Sequence, residues 1–247
     1  MIFEALLATI TVSLISLVGI VFLILKLDQK FMDKFMLIIL GFATGTMLAA
    51  TFFDLLPEAL ETIGEKSLPI MLAGIFCFFI LERLVHWHHG HHDHTEHEKP
   101  VGWLVLLGDG LHNFFDGIAI AASFATAFPV GIATTAAIIF HEIPQELGDF
   151  ALLKYAGFSD RKALLFNLAS ALSAVLGAIV FFALSDRIPN LAPYGLAFTA
   201  GAFIYIACTD MIPELHREQH PLRAVAQVCA VAVGILFLWF LQGYFKA

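Results

Sequence analysis

The sequence predicts an all-α integral membrane protein with eight transmembrane helices. Of its 247 residues, 60% are hydrophobic and only 14% are charged, whereas a soluble domain carries about a quarter charged residues. Eight apolar stretches are each long enough to cross about 30 Å of hydrocarbon as a helix. The connections between them are short, so we expect one transmembrane domain over residues 1–247.

The predicted spans follow one another along the whole chain. They cover residues 5–25, 35–56, 68–84, 101–124, 129–153, 163–184, 193–215 and 221–245. The residues before the first span lack the positive charge of a secretory signal, so this span is expected to remain uncleaved. An even number of spans places both termini on the same side of the membrane.

The second and seventh spans contain a repeat. Segments 42–58 and 198–214, FATGTMLAATFFDLLPE and FTAGAFIYIACTDMIPE, align without gaps and share five of 17 residues, including the ending D-x-x-P-E. The two spans run in opposite directions. We therefore predict an inverted 3+2+3 arrangement in which spans one to three and six to eight flank the fourth and fifth. Chance similarity between two apolar helices is the alternative.

The basic residues predict the orientation. Ten of the 13 Lys and Arg residues fall in the first, third, fifth and seventh loops, so by the positive-inside rule both termini face outside. The short connections favour a prokaryotic plasma membrane. The net charge of -8 shows no basic patch for nucleic acid.

The third loop, residues 85–100, is rich in histidine and is predicted to be cytoplasmic. Its segment HWHHGHHDHTEH, residues 86–97, holds seven of the 11 histidines. Neutral imidazoles bind zinc, copper and nickel, so loose metal binding is expected here. A flexible polar linker with incidental metal affinity is the alternative.

The fourth and fifth spans carry polar side chains near the middle of the membrane. In GDGLHNFFDG, residues 108–117, the side chains of His112 and Asp116 share a helical face. In HEIPQELGDF, residues 141–150, the pairs four residues apart are His141 with Gln145 and Glu142 with Glu146. Two antiparallel neighbours thus each present a pair of candidate metal ligands.

Such residues are expensive inside a membrane. Asp116, Glu142 and Glu146 would together cost about 8–10 kcal/mol at the bilayer centre. The two spans offer no intramembrane Lys or Arg as a partner, so a bound metal or protons must compensate the charge. A hydrogen-bond network joining the two helices is the structural alternative.

At these residues the sequence resembles the ZIP family of metal transporters, in the branch with H-N-x-x-D-G in the fourth helix and H-E-x-P-x-E in the fifth. The resemblance covers essentially the whole chain. It implies that zinc, and also iron, manganese or cadmium, moves toward the cytosol through a two-metal site between these helices, while one helix group moves against another. The metal is then the transported substrate, and no cofactor is expected. Divalent metal ions and the lipid bilayer are the expected partners, with a homodimer as one candidate assembly.

The resemblance also assigns ligands. The first centre would contain His112, Asp116, His141 and Gln145. The second would be formed or supported by Asn113, Asp116, Glu142 and Gln145. Members typically have His or Glu where Gln145 stands, and Asn167 occupies a region where some members place an acid, which makes both centres weaker here.

The transport path is expected to connect carboxylates at the two membrane surfaces. It would run from Asp54 and Glu58 at the outer end of the second span, past Asp109, Glu146 and Asn167, to Asp210 and Glu214 at the inner end of the seventh. Carboxylates at the mouths raise the local cation concentration. Release of the ion further requires side chains that do not bind it too tightly.

Two other functions compete with transport. An intramembrane zinc protease is suggested because His141 and Glu142 open an H-E-x-x-H pattern, but Gln145 replaces the second histidine. A membrane metal sensor that holds the ion without moving it is the other alternative. The carboxylates at the mouths and the inverted repeat favour transport over both.

Overall fold

The computed structural model describes residues 1–20, 29–89 and 98–246, and within these ranges every regular element is helical. The α-helices are α1 (Ile2–Ile15), α2 (Gln29–Ala50), α3 (Leu56–Ile63), α4 (Ser67–His89), α5 (Glu98–Thr126), α6 (Phe128–Tyr155), α7 (Asp160–Ala171), α8 (Ser173–Ser185), α9 (Leu191–Ile206), α10 (Ile212–Leu215) and α11 (Pro221–Lys246). Most of the His-rich loop, residues 90–97, lies outside the described residues.

Apolar helices long enough to cross a membrane are present, so the chain is a multi-pass integral membrane protein. Within the described residues, five segments qualify by length and composition: Ile2–Ile20, Phe35–Arg83, Asp160–Ser185, Leu191–Leu215 and Pro221–Tyr244. The segment Phe35–Arg83 contains both the second and the third predicted span. Helices α5 and α6 are not among the five, because their candidate metal ligands lower the mean hydropathy of both helices.

The helix boundaries depart from the prediction in two ways. The sixth span is divided into α7 and α8, with Leu172 between them. The second and seventh spans each contain a π-helical turn: Thr51–Leu55 joins α2 to α3, and Ala207–Met211 joins α9 to α10. A proline at the second position of the following helix ends each π turn.

Glycines bring three pairs of helices into backbone contact. A Cβ atom at Gly45 of α2 would lie 2.1 Å from the Val231 carbonyl oxygen of α11, and one at Gly201 of α9 would lie 2.0 Å from the Met71 carbonyl oxygen of α4. Likewise, a Cβ atom at Gly117 of α5 would lie 1.8 Å from the Ala174 carbonyl oxygen of α8. Small residues allow such close helix packing in membranes.

Helix α5, which is packed on α8, also contacts α6. Helix α6 also packs against α2, and α5 against α9. The main hydrophobic core surrounds this centre and includes the fully buried Ile120 of α5, Ile138 of α6 and Leu196 of α9. The predicted ligands on α5 and α6 are therefore held by helices on several sides.

Candidate functional site

Two histidines and two carboxylates meet between α5 and α6. We call His112, Asp116, His141 and Glu142 the His-carboxylate centre. One ligand atom from each lies within 4.8 Å of the others. His141, Asp116 and Glu142 are at most 2% exposed, so the centre lies in the interior of the helix bundle.

The distances in this centre match those of a tetrahedral metal site. Nε2 of His141 lies 3.2 Å from Oδ2 of Asp116, 3.3 Å from Oε1 of Glu142 and 3.3 Å from Nε2 of His112. Nε2 of His112 lies 3.5 Å from Oε1 of Glu142 and 3.7 Å from Oδ2 of Asp116. Ligands about 2.0–2.1 Å from a tetrahedral zinc ion are separated from one another by about 3.3–3.4 Å. The four side chains are thus spaced to bind one ion.

The surroundings orient both imidazoles. Nδ1 of His141 lies 3.2 Å from the carbonyl oxygen of Ala137, one turn earlier in α6. A proton on Nδ1 donates to this carbonyl and leaves the Nε2 lone pair for a metal, as in many metal sites. The ring of Phe78 packs edge-on against His112, and the ring of Phe203 packs edge-on against His141. These apolar rings lower the local dielectric and strengthen the electrostatic interactions of the centre.

A second cluster of ligands adjoins the first. We call Asp109, Glu142 and Glu146 the all-oxygen cluster, and one oxygen from each lies within 4.8 Å of the others. All three side chains are buried. Glu142 belongs to both groups, so its carboxylate joins the two clusters.

Amides and a hydroxyl surround the all-oxygen cluster. Nδ2 of Asn113 donates to Oδ1 of Asp109 at 2.8 Å. Nδ2 of Asn167 donates to Oε2 of Glu146, and the hydroxyl of Ser170 donates to Oδ2 of Asp109. Asn113 and Asn167 are fully buried. These bonds fix the orientation of two of the three carboxylates.

Several buried oxygens at the two clusters accept no hydrogen bond from the described residues. They are Asn113 Oδ1, Asp116 Oδ2, Glu142 Oε1, Glu142 Oε2, Glu146 Oε1 and Asn167 Oδ1. A buried polar atom left unsatisfied usually costs about 1–3 kcal/mol, and more when it is charged. This concentration of unsatisfied acceptors is what a cation-binding site presents before the cation arrives.

The remaining predicted residues are distributed over the fold. Gln145 is half-buried and interacts with the carboxyl group of Asp109, so its side chain lies near the all-oxygen cluster. Asp54 is 2% exposed and lies in the first π turn, and Glu58 follows it in α3, half-buried.

At the other end of the predicted path, Asp210 and Glu214 are exposed. Asp210 belongs to the second π turn. Glu214, in α10, forms an ion pair with Arg217 at 2.6 Å. The carboxylates predicted for the two mouths of the path therefore differ in burial.

Two residues near the all-oxygen cluster were not predicted from the sequence. Ser170 follows Asn167 by three positions in α7, so helical spacing places the two side chains on one face. Asp149 follows Glu146 by three positions in α6 and interacts electrostatically with Asp109 and Glu142. The same spacing rule that identified the fourth-span pair would have indicated both.

The arrangement bears on the protease alternative. In an H-E-x-x-H peptidase the glutamate acts as a general base and does not bind the metal. Here Oε1 of Glu142 lies among the ligand atoms, 3.3 Å and 3.5 Å from the two Nε2 atoms. The geometry favours Glu142 as a ligand.

Comparisons with known proteins agree with the geometry. The family model described as ZIP Zinc transporter matches residues 3–102 and 86–242. The chain is 32% identical over 219 residues to zinc transporter ZIP13 of Pongo abelii, covering 81% of this chain and 65% of that protein. It is 38% identical over 142 residues to mouse zinc transporter ZIP10, covering 56% of this chain and 17% of that protein.

A shorter match is more similar. Over 81 residues the chain is 53% identical to human zinc transporter ZIP4, which covers 33% of this chain and 12% of that protein. The chain thus spans less than two thirds of the length of each of these three relatives.

Proposed function

The chain belongs to the ZIP zinc transporter family, and on that premise we propose that it moves zinc across the membrane toward the cytoplasm. The His-carboxylate centre is the proposed binding site on the path. Iron, manganese and cadmium are further candidate substrates. The protein acts in this proposal as a transporter and not as an enzyme, with the metal as its substrate.

The observation that carries the proposal is the spacing of the four ligand atoms. The five separations that involve a histidine nitrogen, 3.2–3.7 Å, fit one tetrahedral ion. Within the described residues, the ion pairs of Asp116 and Glu142 are formed with the two histidines of the centre. A divalent cation would neutralise both carboxylates and would occupy the unsatisfied oxygens.

The second cluster supports transport over simple storage. Glu142 directs one oxygen at the histidines, and its other oxygen has no hydrogen-bond partner among the described residues. The carboxylate of Glu142 could therefore bind an ion in either cluster or bridge two ions. The all-oxygen cluster offers weaker ligands than imidazole for zinc, so an ion that reaches it is easier to release.

In the proposal, amide side chains help to bind the ion at the all-oxygen cluster. Asn113 and Asn167 contact Asp109 and Glu146 through their nitrogens, and their oxygens are unsatisfied. Rotation of either amide would present its oxygen to a cation. Gln145, which contacts Asp109, is proposed as a further neutral ligand between the two centres.

The inverted 3+2+3 arrangement of eight spans is part of the proposal. The two π turns, Thr51–Leu55 and Ala207–Met211, occupy the same positions of the gapless repeat alignment. The glycine contacts are also matched, because α2 packs closely on α11 as α9 packs closely on α4. A repeat in both local helix geometry and helix pairing is what related halves would produce.

We propose that the protein lies in a prokaryotic plasma membrane and that both termini face outside. The Lys and Arg residues of the odd-numbered loops support this orientation. Large apolar side chains such as Phe76, Leu176 and Phe240 are exposed on the bundle, as lipid contact requires. The same apolar surface would accommodate the homodimer that we propose as an assembly.

The proposal is tested by zinc flux into proteoliposomes that contain the purified protein. Uptake of radioactive zinc should saturate, and excess unlabelled zinc should inhibit it. Addition of iron, manganese or cadmium as competitors ranks the substrates. Equilibrium zinc binding without flux would instead indicate the membrane sensor.

Deletion of residues 88–97 should leave substantial flux. A polar loop can collect ions near the membrane surface but cannot form a path across hydrocarbon. We expect the half-saturating zinc concentration to change and the maximal rate to stay within about threefold, because the loop supplies ions to the path but contributes no ligand within the hydrocarbon. Replacement of the seven histidines in 86–97 by serine is the control for loop length. Complete loss of flux by a folded deletion variant would place the loop on the path.

A further inference from the structure

The two π turns differ in the side chain that the neighbouring helix presents to them. Each is followed by a proline, Pro57 or Pro213. Because proline has no N–H, it cannot bond to the carbonyl four residues earlier. These carbonyls belong to Phe53 in the first π turn and to Thr209 in the second. At membrane depth such groups need another donor.

In the first π turn a side chain from another helix supplies the donor. Nε2 of Gln242 in α11 donates to the carbonyl oxygen of Phe53 at 2.6 Å. The same amide nitrogen donates to Oδ1 of Asp54. Asp54 is consequently buried, at 2% exposed, although it was predicted to attract cations at the mouth of the path.

The equivalent position at the second π turn holds an acid. Gly234 of α11 packs on α2 as Gly74 of α4 packs on α9. Eight residues after these two glycines stand Gln242 and Glu82, respectively. A carboxylate cannot donate to a carbonyl, and Glu82 instead accepts a hydrogen bond from the hydroxyl of Tyr205.

The residue that faces each π turn differs in what it can donate. Glu82 accepts the hydrogen bond of the Tyr205 hydroxyl and has no N–H to offer the second π turn. Asp210 of that turn is exposed, in contrast to Asp54. One end of the bundle thus has an amide donor that binds α11 to the π turn, and the equivalent position at the other end has none.

We propose that Gln242 is the gating residue of the Asp54 end of the path. Its two hydrogen bonds hold α11 against the first π turn and keep that end closed, while Glu82 leaves the Asp210 end open. The Asp54 end opens only when the Gln242 amide breaks its hydrogen bonds to the Phe53 carbonyl and to the Asp54 carboxylate. The inference rests on the proposed transport function, because a gate has meaning only where an ion passes.

The test measures closure without any metal. Thr51 is fully buried in the first π turn, on the same side as Asp54. A Thr51→Cys variant is treated from outside with a membrane-impermeant maleimide, and peptide mass analysis separates this site from Cys77, Cys208 and Cys229. Gln242→Met, which keeps the side-chain length and removes the donor, is added to the Thr51→Cys protein.

The expected result is labelling about 10- to 100-fold faster in Gln242→Met than in Thr51→Cys alone, the change that follows when the two hydrogen bonds of the amide are lost from only one of two states. Gln242→Glu should label faster still, because the new carboxylate would lie against that of Asp54 and like charges repel. Gln227→Met, the same substitution elsewhere on α11, is the matched control and should label at the parental rate.

The proposal is overturned if Gln242→Met or Gln242→Glu reaches the membrane folded and labels at the parental rate. If Gln242→Met fails to fold, Gln242→Asn, which keeps a shorter amide, must label at a rate between those of Gln242 and Gln242→Glu, and a parental rate again overturns the gate. Zinc flux of the parent is measured in parallel. Absent flux with changed labelling would reject transport and leave the closure by Gln242 intact.

Discussion

Replacement of Glu142 by glutamine should abolish most zinc flux while the protein still reaches the membrane. Glu142 is the residue that the His-carboxylate centre and the all-oxygen cluster share. The amide keeps the size of the side chain and removes the charge from both groups. Loss of one member of a buried, hydrogen-bonded charge pair costs about 2–5 kcal/mol, which corresponds to about 30- to 5,000-fold in affinity.

The comparison should be made at equal protein in proteoliposomes, with zinc affinity measured separately on the detergent-solubilised protein. Glu61→Gln is the matched control, because Glu61 is an exposed glutamate outside both clusters. His141→Ala should behave like Glu142→Gln, since Nε2 of His141 lies within 3.3 Å of three other ligand atoms. Near-normal uptake by both site variants would remove the site from the path.

Replacement of Gln145 by histidine should tighten zinc binding by about 5- to 30-fold, equivalent to about 1–2 kcal/mol. Gln145 lies one turn after His141 on α6 and contacts Asp109, so a side chain here can reach an ion at either centre. An imidazole is a softer and stronger ligand than an amide oxygen, and its preference for zinc over manganese is steeper. The Zn/Mn flux ratio should therefore rise.

Tighter binding should also slow release. If release limits turnover, Gln145→His will lower both the half-saturating zinc concentration and the maximal rate. Gln145→Asn keeps an amide and serves as the control. The histidine variant completes an H-E-x-x-H pattern, yet we expect no peptidase activity, because Glu142 is placed as a ligand. An unchanged Zn/Mn flux ratio would show that Gln145 does not touch the transported ion.

The sequence predicted the all-helical, multi-pass architecture better than the geometry of individual helices. Long apolar runs define membrane helices because hydrocarbon leaves backbone groups no partner outside the helix, and the all-helical, multi-pass fold follows from this. The division of the sixth span at Leu172 has no comparable signal. The π turns were equally hidden, since Pro57 and Pro213 predict a free carbonyl but do not specify which helical turn widens.

At the site, spacing within one helix was informative and contacts between helices were not. The i, i+4 rule placed His112 with Asp116, and the structure brings this pair beside His141 and Glu142. The same rule could not show that Glu142, rather than Gln145, lies 3.5 Å from His112 of the neighbouring helix. That outcome depends on how α5 and α6 are rotated against each other. Helical spacing also could not show that Gln242, 188 residues away in sequence, donates a hydrogen bond to Asp54.

The paired π turns bear on the ancestry of the chain. A π turn contains one residue more than the α-helical turn that it replaces, and such turns are rare. Thr51–Leu55 and Ala207–Met211 occupy identical positions of a repeat that retains only five of 17 identical residues. If the proposed inverted repeat arose by duplication of a three-helix unit, a single insertion into that unit before the duplication explains this coincidence most simply. On that account the extra residue was retained in both halves while most of the residues around it were substituted.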